Sequence, residues 1–200
     1  YPKLLATLPS KESGVRYRLE GYLFPATYGY GKDSKMEDLV DQMLAAMDQN
    51  LLAYYDTMEA KNIDVNEALT LASLIEKEGA TDKDRKDIAS VFYNRLNQDM
   101  PLQSNIAILY AQGQLGKKTT LKEDATIDTN IDSPYNIYKN TGLMPGPVDS
   151  PGVSAIEAAV NPSKTDYLYF VANVETGEVY FAKTYEEHTK NVEEHVNSKL

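Results

Sequence analysis

The chain has 200 residues, a formal net charge of −10 and no cysteine, and its size suits one compact domain. The acidic balance argues against nucleic acid or an anionic lipid surface as partners. The missing thiols exclude disulfides, cysteine catalysis and cysteine-held metals. A hydrophobic share of 42% suffices for a core, which disfavours global disorder. No apolar run is long enough to cross a bilayer and there is no signal peptide. Because the chain opens at Tyr1 rather than at a methionine, it is expected to be an excised piece of a longer protein.

Residues 1–34 read as irregular or extended. A long amphipathic helix is expected from Met36 to Met58, with Leu39, Met43, Ala46, Met47 and Leu51 at helical spacing. Asp64 followed by Glu67 resembles a capping box for a helix that runs to Glu78 and stops at Gly79. Thr81 and Asp84 repeat that signature for the next helix, whose apolar stripe is Ile88, Val91, Phe92 and Leu96. Met100-Pro101 interrupts, and a short helix is expected from Asn105 to Gln112.

Asp128 to Gly152 is Pro/Gly-punctuated and rich in tyrosine and asparagine. A loop that long is either disordered or functional. A short helix is expected from Ser154 to Val160. Two strands, Tyr167–Ala172 and Glu178–Ala182, should pair around Glu175-Thr176-Gly177, and a polar helix from Tyr185 closes the chain. Helices first and a hairpin late indicate an α+β domain spanning residues 1–200. His188 and His195 sit among acidic neighbours and read as solvated helix residues, so neither a zinc site nor a histidine triad is expected.

Glu78 is the most informative residue. At about 100° per residue it shares a stripe with Leu71, Leu74 and Ile75, whereas Glu76 falls on another face. Its place in the last helical turn also sets it against the negative end of the helix dipole. Desolvation and the dipole both favour the neutral acid. Raising a glutamate by roughly two pKa units corresponds to about 2.7 kcal/mol. A carboxylic acid kept neutral near pH 7 can protonate a departing glycosidic oxygen.

Several segments, in order, resemble the YceG-like family of endolytic murein transglycosylases. They include Leu19-Glu20-Gly21-Tyr22-Leu23-Phe24-Pro25, Ala72-Ser73-Leu74-Ile75-Glu76-Lys77-Glu78 and Ala89-Ser90-Val91-Phe92-Tyr93-Asn94-Arg95-Leu96. Further on come Pro101-Leu102-Gln103-Ser104-Asn105, Ser133-Pro134-Tyr135-Asn136-Ile137-Tyr138, Thr141-Gly142-Leu143-Met144-Pro145-Gly146-Pro147, Asn161-Pro162 and Tyr167-Leu168-Tyr169-Phe170-Val171. The details look most like a streptococcal or related Gram-positive member.

The resemblance implies a mainly helical, lysozyme-like core with a C-terminal hairpin and terminal helix. It implies an enzyme anchored on the outer face of the cytoplasmic membrane through a segment this chain lacks. That enzyme cleaves nascent peptidoglycan strands internally and leaves 1,6-anhydro-N-acetylmuramyl ends. The second glutamate of the family's Glu-Lys-Glu run is catalytic, which here is Glu78. A LysM-like region precedes the catalytic part in the family, and this chain is expected to start after it.

There are departures. Many members show Gln-Ser-Asp-Pro where this chain has Gln103-Ser104-Asn105-Ile106, and Leu-Pro-Pro-Gly where it has Leu143-Met144-Pro145-Gly146. An asparagine keeps a hydrogen-bonding side chain without the charge, so position 105 is not expected to be a second catalytic carboxylate. Gln103, Asn105, Asn136 and Tyr138 are candidates for holding sugar hydroxyls, the acetamido group and the acid itself. Tyr135 is a candidate stacking surface, and Glu20 is the best alternative carboxylate. No cofactor and no metal are implied. Glycan strands are the expected partner, with cell-wall synthesis proteins as further candidates. Two rival readings stay open: a hydrolysing muramidase, and a non-catalytic glycan-binding module.

Overall fold

A computed structural model describes residues 1–117 and 120–199. Among the described residues eight α-helices and one hairpin follow in the order α1 (Met36–Leu51), α2 (Tyr55–Lys61), α3 (Val65–Glu78), α4 (Asp82–Leu96), α5 (Asn105–Ala111), α6 (Leu121–Ala125), α7 (Val153–Val160), β1 (Tyr169–Ala172), β2 (Val179–Ala182) and α8 (Tyr185–His195). The architecture is α+β, as the order of patterns in the sequence requires. No helix among the described residues is long and apolar enough to cross a membrane.

The centre of the core is α3, buried from Ala68 through Ile75. It packs against α7 and α4, which also pack on each other. Small residues make that three-helix contact close: Ala68 and Ala72 on α3, with Ala155, Ala158 and Ala159 on α7, are all 2% exposed or less. The start of α3 is fixed by the expected capping box. The Asp64 side chain accepts from the Glu67 amide at 2.8 Å, and Glu67 Oε2 accepts from the Asp64 amide at 2.9 Å.

The single helix expected over 36–58 is two helices. Leu52–Tyr54 form a turn, closed by the Tyr54 amide donating to the Leu51 carbonyl at 2.9 Å. The Tyr55 hydroxyl donates to Asp48 Oδ1 at 2.6 Å across the bend. No proline or glycine marks this point, so tertiary packing sets it.

The hairpin pairs antiparallel with Tyr169 opposite Ala182 and Ala172 opposite Val179. Asn173 shapes its turn, its Oδ1 accepting from the amides of Glu175 and Thr176. Gly177 takes φ +77° there, a conformation that favours glycine. Helix α8 lies on this hairpin. The unit joins the helical core through Arg95, whose Nε donates to the Leu168 carbonyl at 2.6 Å, and through an edge contact of Phe92 with Phe170 at 5.7 Å.

Candidate active site

Of the three residues that end α3, two hold one loop and the third carries its carboxyl into a cavity. Glu76 Oε2 accepts from the Gly152 amide at 3.0 Å, and Lys77 pairs with Asp149 at 2.9 Å. Together they fasten the 149–152 loop to the helix. Glu78 turns to the other side, into a cavity of about 590 Å³. Gly79 ends α3 without the left-handed conformation usual for a terminating glycine, at φ −106°. Close approach is what demands it: a Cβ there would lie 2.8 Å from Arg85 Cγ and 3.2 Å from the Arg85 backbone.

Glu78 keeps a strip of exposed surface toward the cavity, but protein crowds its carboxyl. Desolvation is the largest influence and pushes its pKa up to about 7. The Ser104 hydroxyl, donating to Oε1 at 2.6 Å, acts against that push, while the nearby Asp124 carboxyl adds to it. The dipole argument therefore takes second place to burial and a neighbouring acid.

The cavity gathers Gln103, Asn105 and Tyr138 with Glu78. Asn105, the first residue of α5, donates through Nδ2 to the backbone oxygen and Oδ1 of Asp124, both at 3.0 Å. Its Oδ1 accepts from the Tyr138 hydroxyl at 2.6 Å. The Asn105 amide is thus engaged within the protein. Burial raises the pKa of Asp124, with the Asn105 bond opposing. Burial also raises that of Tyr138, helped by the charges of Glu78 and Asp124. Gln103 sits at φ +58°, an uncommon position for a side-chain-bearing residue. Its amide donates to the Ile137 carbonyl and its Oε1 accepts from Arg95 Nη1.

The structure places the other three candidates outside the cavity lining. Tyr135 is 4% exposed, its ring against Tyr110 at 4.9 Å and its hydroxyl accepting from the Arg16 amide. No face is open for stacking on a sugar. Asn136 is 1% exposed and donates to the carbonyls of Thr129 and Ile131 while accepting from the Tyr138 amide. It braces the loop that delivers Tyr138. Glu20 accepts from the Tyr110 hydroxyl at 3.4 Å, and burial with the Asp149 charge raises its pKa.

Four residues that line or shape the site carry no role in the sequence reading: Ser104, Asp124, Arg95 and His188. Asp124 had a signal, since Thr120 and Glu123 form a capping box for α6 in a stretch to which the sequence reading gives no element. The histidines are not solvated as expected. His188 is half-buried in the cavity wall, stacked on Tyr169 at 5.3 Å, and burial followed by the Arg95 charge lowers its pKa. His195 stacks on Tyr180 at 3.6 Å.

The pattern of the YceG-like family matches residues 3–194. A protein called endolytic murein transglycosylase from Streptococcus pneumoniae (strain ATCC BAA-255 / R6) is 66% identical over 200 residues, covering 100% of this chain and 36% of that protein. One of the same name from Bacillus subtilis (strain 168) is 47% identical over 186 residues, covering 92% of this chain and 50% of that protein. A crystal structure of a YceG-like protein from Listeria monocytogenes superposes with a TM-score of 0.81 at 48% identity, covering 94% of this chain and 58% of that one. The chain thus spans between about a third and a half of the length of these curated relatives.

Proposed function

The chain belongs to the YceG-like family, and from that premise we propose that it carries the catalytic part of a peptidoglycan lytic transglycosylase. It would cut nascent glycan strands internally at the β-1,4 bond between N-acetylmuramic acid and N-acetylglucosamine. The observation that carries this reading is Glu78, a carboxyl facing an open cavity with its pKa near 7.

Protonated Glu78 gives its proton to the glycosidic oxygen as the bond from that oxygen to C1 breaks. The muramyl C6 hydroxyl attacks C1 of its own ring, and its proton passes to the Glu78 carboxylate. The glutamate ends protonated, no water is consumed, and the product is a 1,6-anhydro end. An intramolecular nucleophile has a high effective concentration, so no second carboxylate is needed to activate water. Gln103 and Tyr138, which line the same cavity, are proposed to contact the sugar, and Asn105 to hold Tyr138 and Asp124 in place. Residues 1–200 act as one domain on the extracytoplasmic face of the membrane, held there by a segment outside this chain. Cell-wall synthesis proteins are candidate partners.

A muramidase is the second reading, because Asp124 puts another carboxyl in the same cavity. Mass spectrometry of purified glycan strands, digested with the chain and with its Glu78→Gln variant, separates the readings. Anhydro-muramyl ends that vanish in the variant support the transglycosylase. Reducing ends would move the assignment to the hydrolase, with Asp124 as the second acid.

A further inference from the structure

We infer that Ser104 is a positioning residue that clamps the Glu78 carboxyl and confines its transferable proton to Oε2. This role rests on the reading of Glu78 as the acid. Ser104 is the N-cap of α5 and 1% exposed. Its Oγ lies 3.2 Å from the Ile106 amide and 2.6 Å from Glu78 Oε1. The amide can only donate, so Oγ accepts from it. The hydroxyl proton then has Glu78 Oε1 as its acceptor, and no other acceptor for it is found among the described residues.

The directions matter because a neutral carboxylic acid has two oxygens and one proton. If the proton sat on Oε1 and pointed at Ser104, Oγ would accept twice and its own proton would be buried without a partner, which is unfavourable. With the Ser104 proton on Oε1, the acidic proton belongs on Oε2. A buried N-cap whose backbone is set by the first turn of α5 thereby decides which oxygen of the acid is free to donate. One hydroxyl links the start of α5 to the end of α3.

The test is a set of pH–rate profiles for the full 200-residue chain with Ser104→Gly, Ser104→Ala and Glu78→Gln, each with its thermal midpoint. Glycine is nearly as good an N-cap as serine, so the first variant removes the hydroxyl with little change to the helix. The alanine variant removes the same hydroxyl at a different backbone cost. The charged or titratable groups lining the cavity with Glu78 are Lys77, Arg95, Lys117, Asp124, Tyr138 and His188, and all remain in both variants.

The expected result is a kcat lower by about 10- to 100-fold, an unchanged KM, and an alkaline limb moved to higher pH. The limb moves that way because the Ser104 bond favours the ionised form of Glu78. A lower rate with an unmoved limb would mean a merely structural cap and overturn the inference. So would a wild-type profile in either variant. Full activity in Glu78→Gln would instead remove Glu78 from the chemistry, which is a separate failure.

Discussion

Asn105 holds Asp124 by two hydrogen bonds of 3.0 Å, to its backbone oxygen and to Oδ1, and so fixes an acidic neighbour in the cavity of Glu78. The two carboxyls come from helices more than forty residues apart in the chain, α3 and α6. A like charge beside an acid holds a proton on it.

Asp124→Asn should move the alkaline limb of cleavage to lower pH. The Asp124 charge raises the pKa of Glu78. Without it Glu78 loses its proton earlier, and the acid form is scarcer at pH 7–8. A pH–rate profile reads this directly, and an unmoved or rising limb would contradict it.

Glu78→Gln should abolish cleavage and stabilise the fold above pH 7. The folded-state pKa of Glu78 is raised from 4.5 to about 7. Below 4.5 the residue is neutral in both states. Between 4.5 and about 7 the unfolded chain has given up this proton while the folded protein keeps it, so stability falls across that window by about 3 kcal/mol and levels off above it. Glutamine never ionises, so the variant's thermal midpoint should exceed the wild type's by several degrees at pH 8.5. Near pH 4 the two should nearly coincide.

Tyr138→Phe removes the 2.6 Å bond to Asn105 Oδ1. The expected cost in stability is about 1 kcal/mol, read by urea unfolding. The amide of Asn105 then loses the partner that orients it toward Asp124. Activity should fall further than the stability loss explains.

Gly79→Ala should destabilise by about 1–3 kcal/mol. The added carbon would meet Arg85 Cγ at 2.8 Å and the Arg85 backbone at 3.2 Å. The long arginine side chain can move aside; the first turn of α4 cannot easily do so. Calorimetry checks the stability loss. Displacement of the end of α3 should lower kcat as well.

Much of the fold follows from local signals in the sequence. The capping box at Asp64 and the glycine at 79 bracket α3, and helical angle alone separates Glu78 from Glu76. The hairpin is marked by two aromatic and β-branched runs and by its Glu-Thr-Gly turn. The bend at 52–54 has no local mark, since packing of Leu51 and Tyr55 into the core makes it. The loop from Asp128 to Gly152 mixes polar residues with tyrosines and scattered aliphatics in no regular period, and composition could not say which residues face the cavity. Tyr138 does, whereas Tyr135 and Asn136, three and two residues earlier, are buried in support. His188 reads as solvated because its sequence neighbours are charged. Its spatial neighbours, Tyr169 and Arg95, come from other elements.

The most direct test is an NMR titration of the Glu78 carboxyl carbon in the folded 200-residue chain. A midpoint near 7 that falls with Asp124→Asn is the predicted result. A midpoint in the ordinary carboxylate range would mean Glu78 is ionised at neutral pH and is not the proton donor.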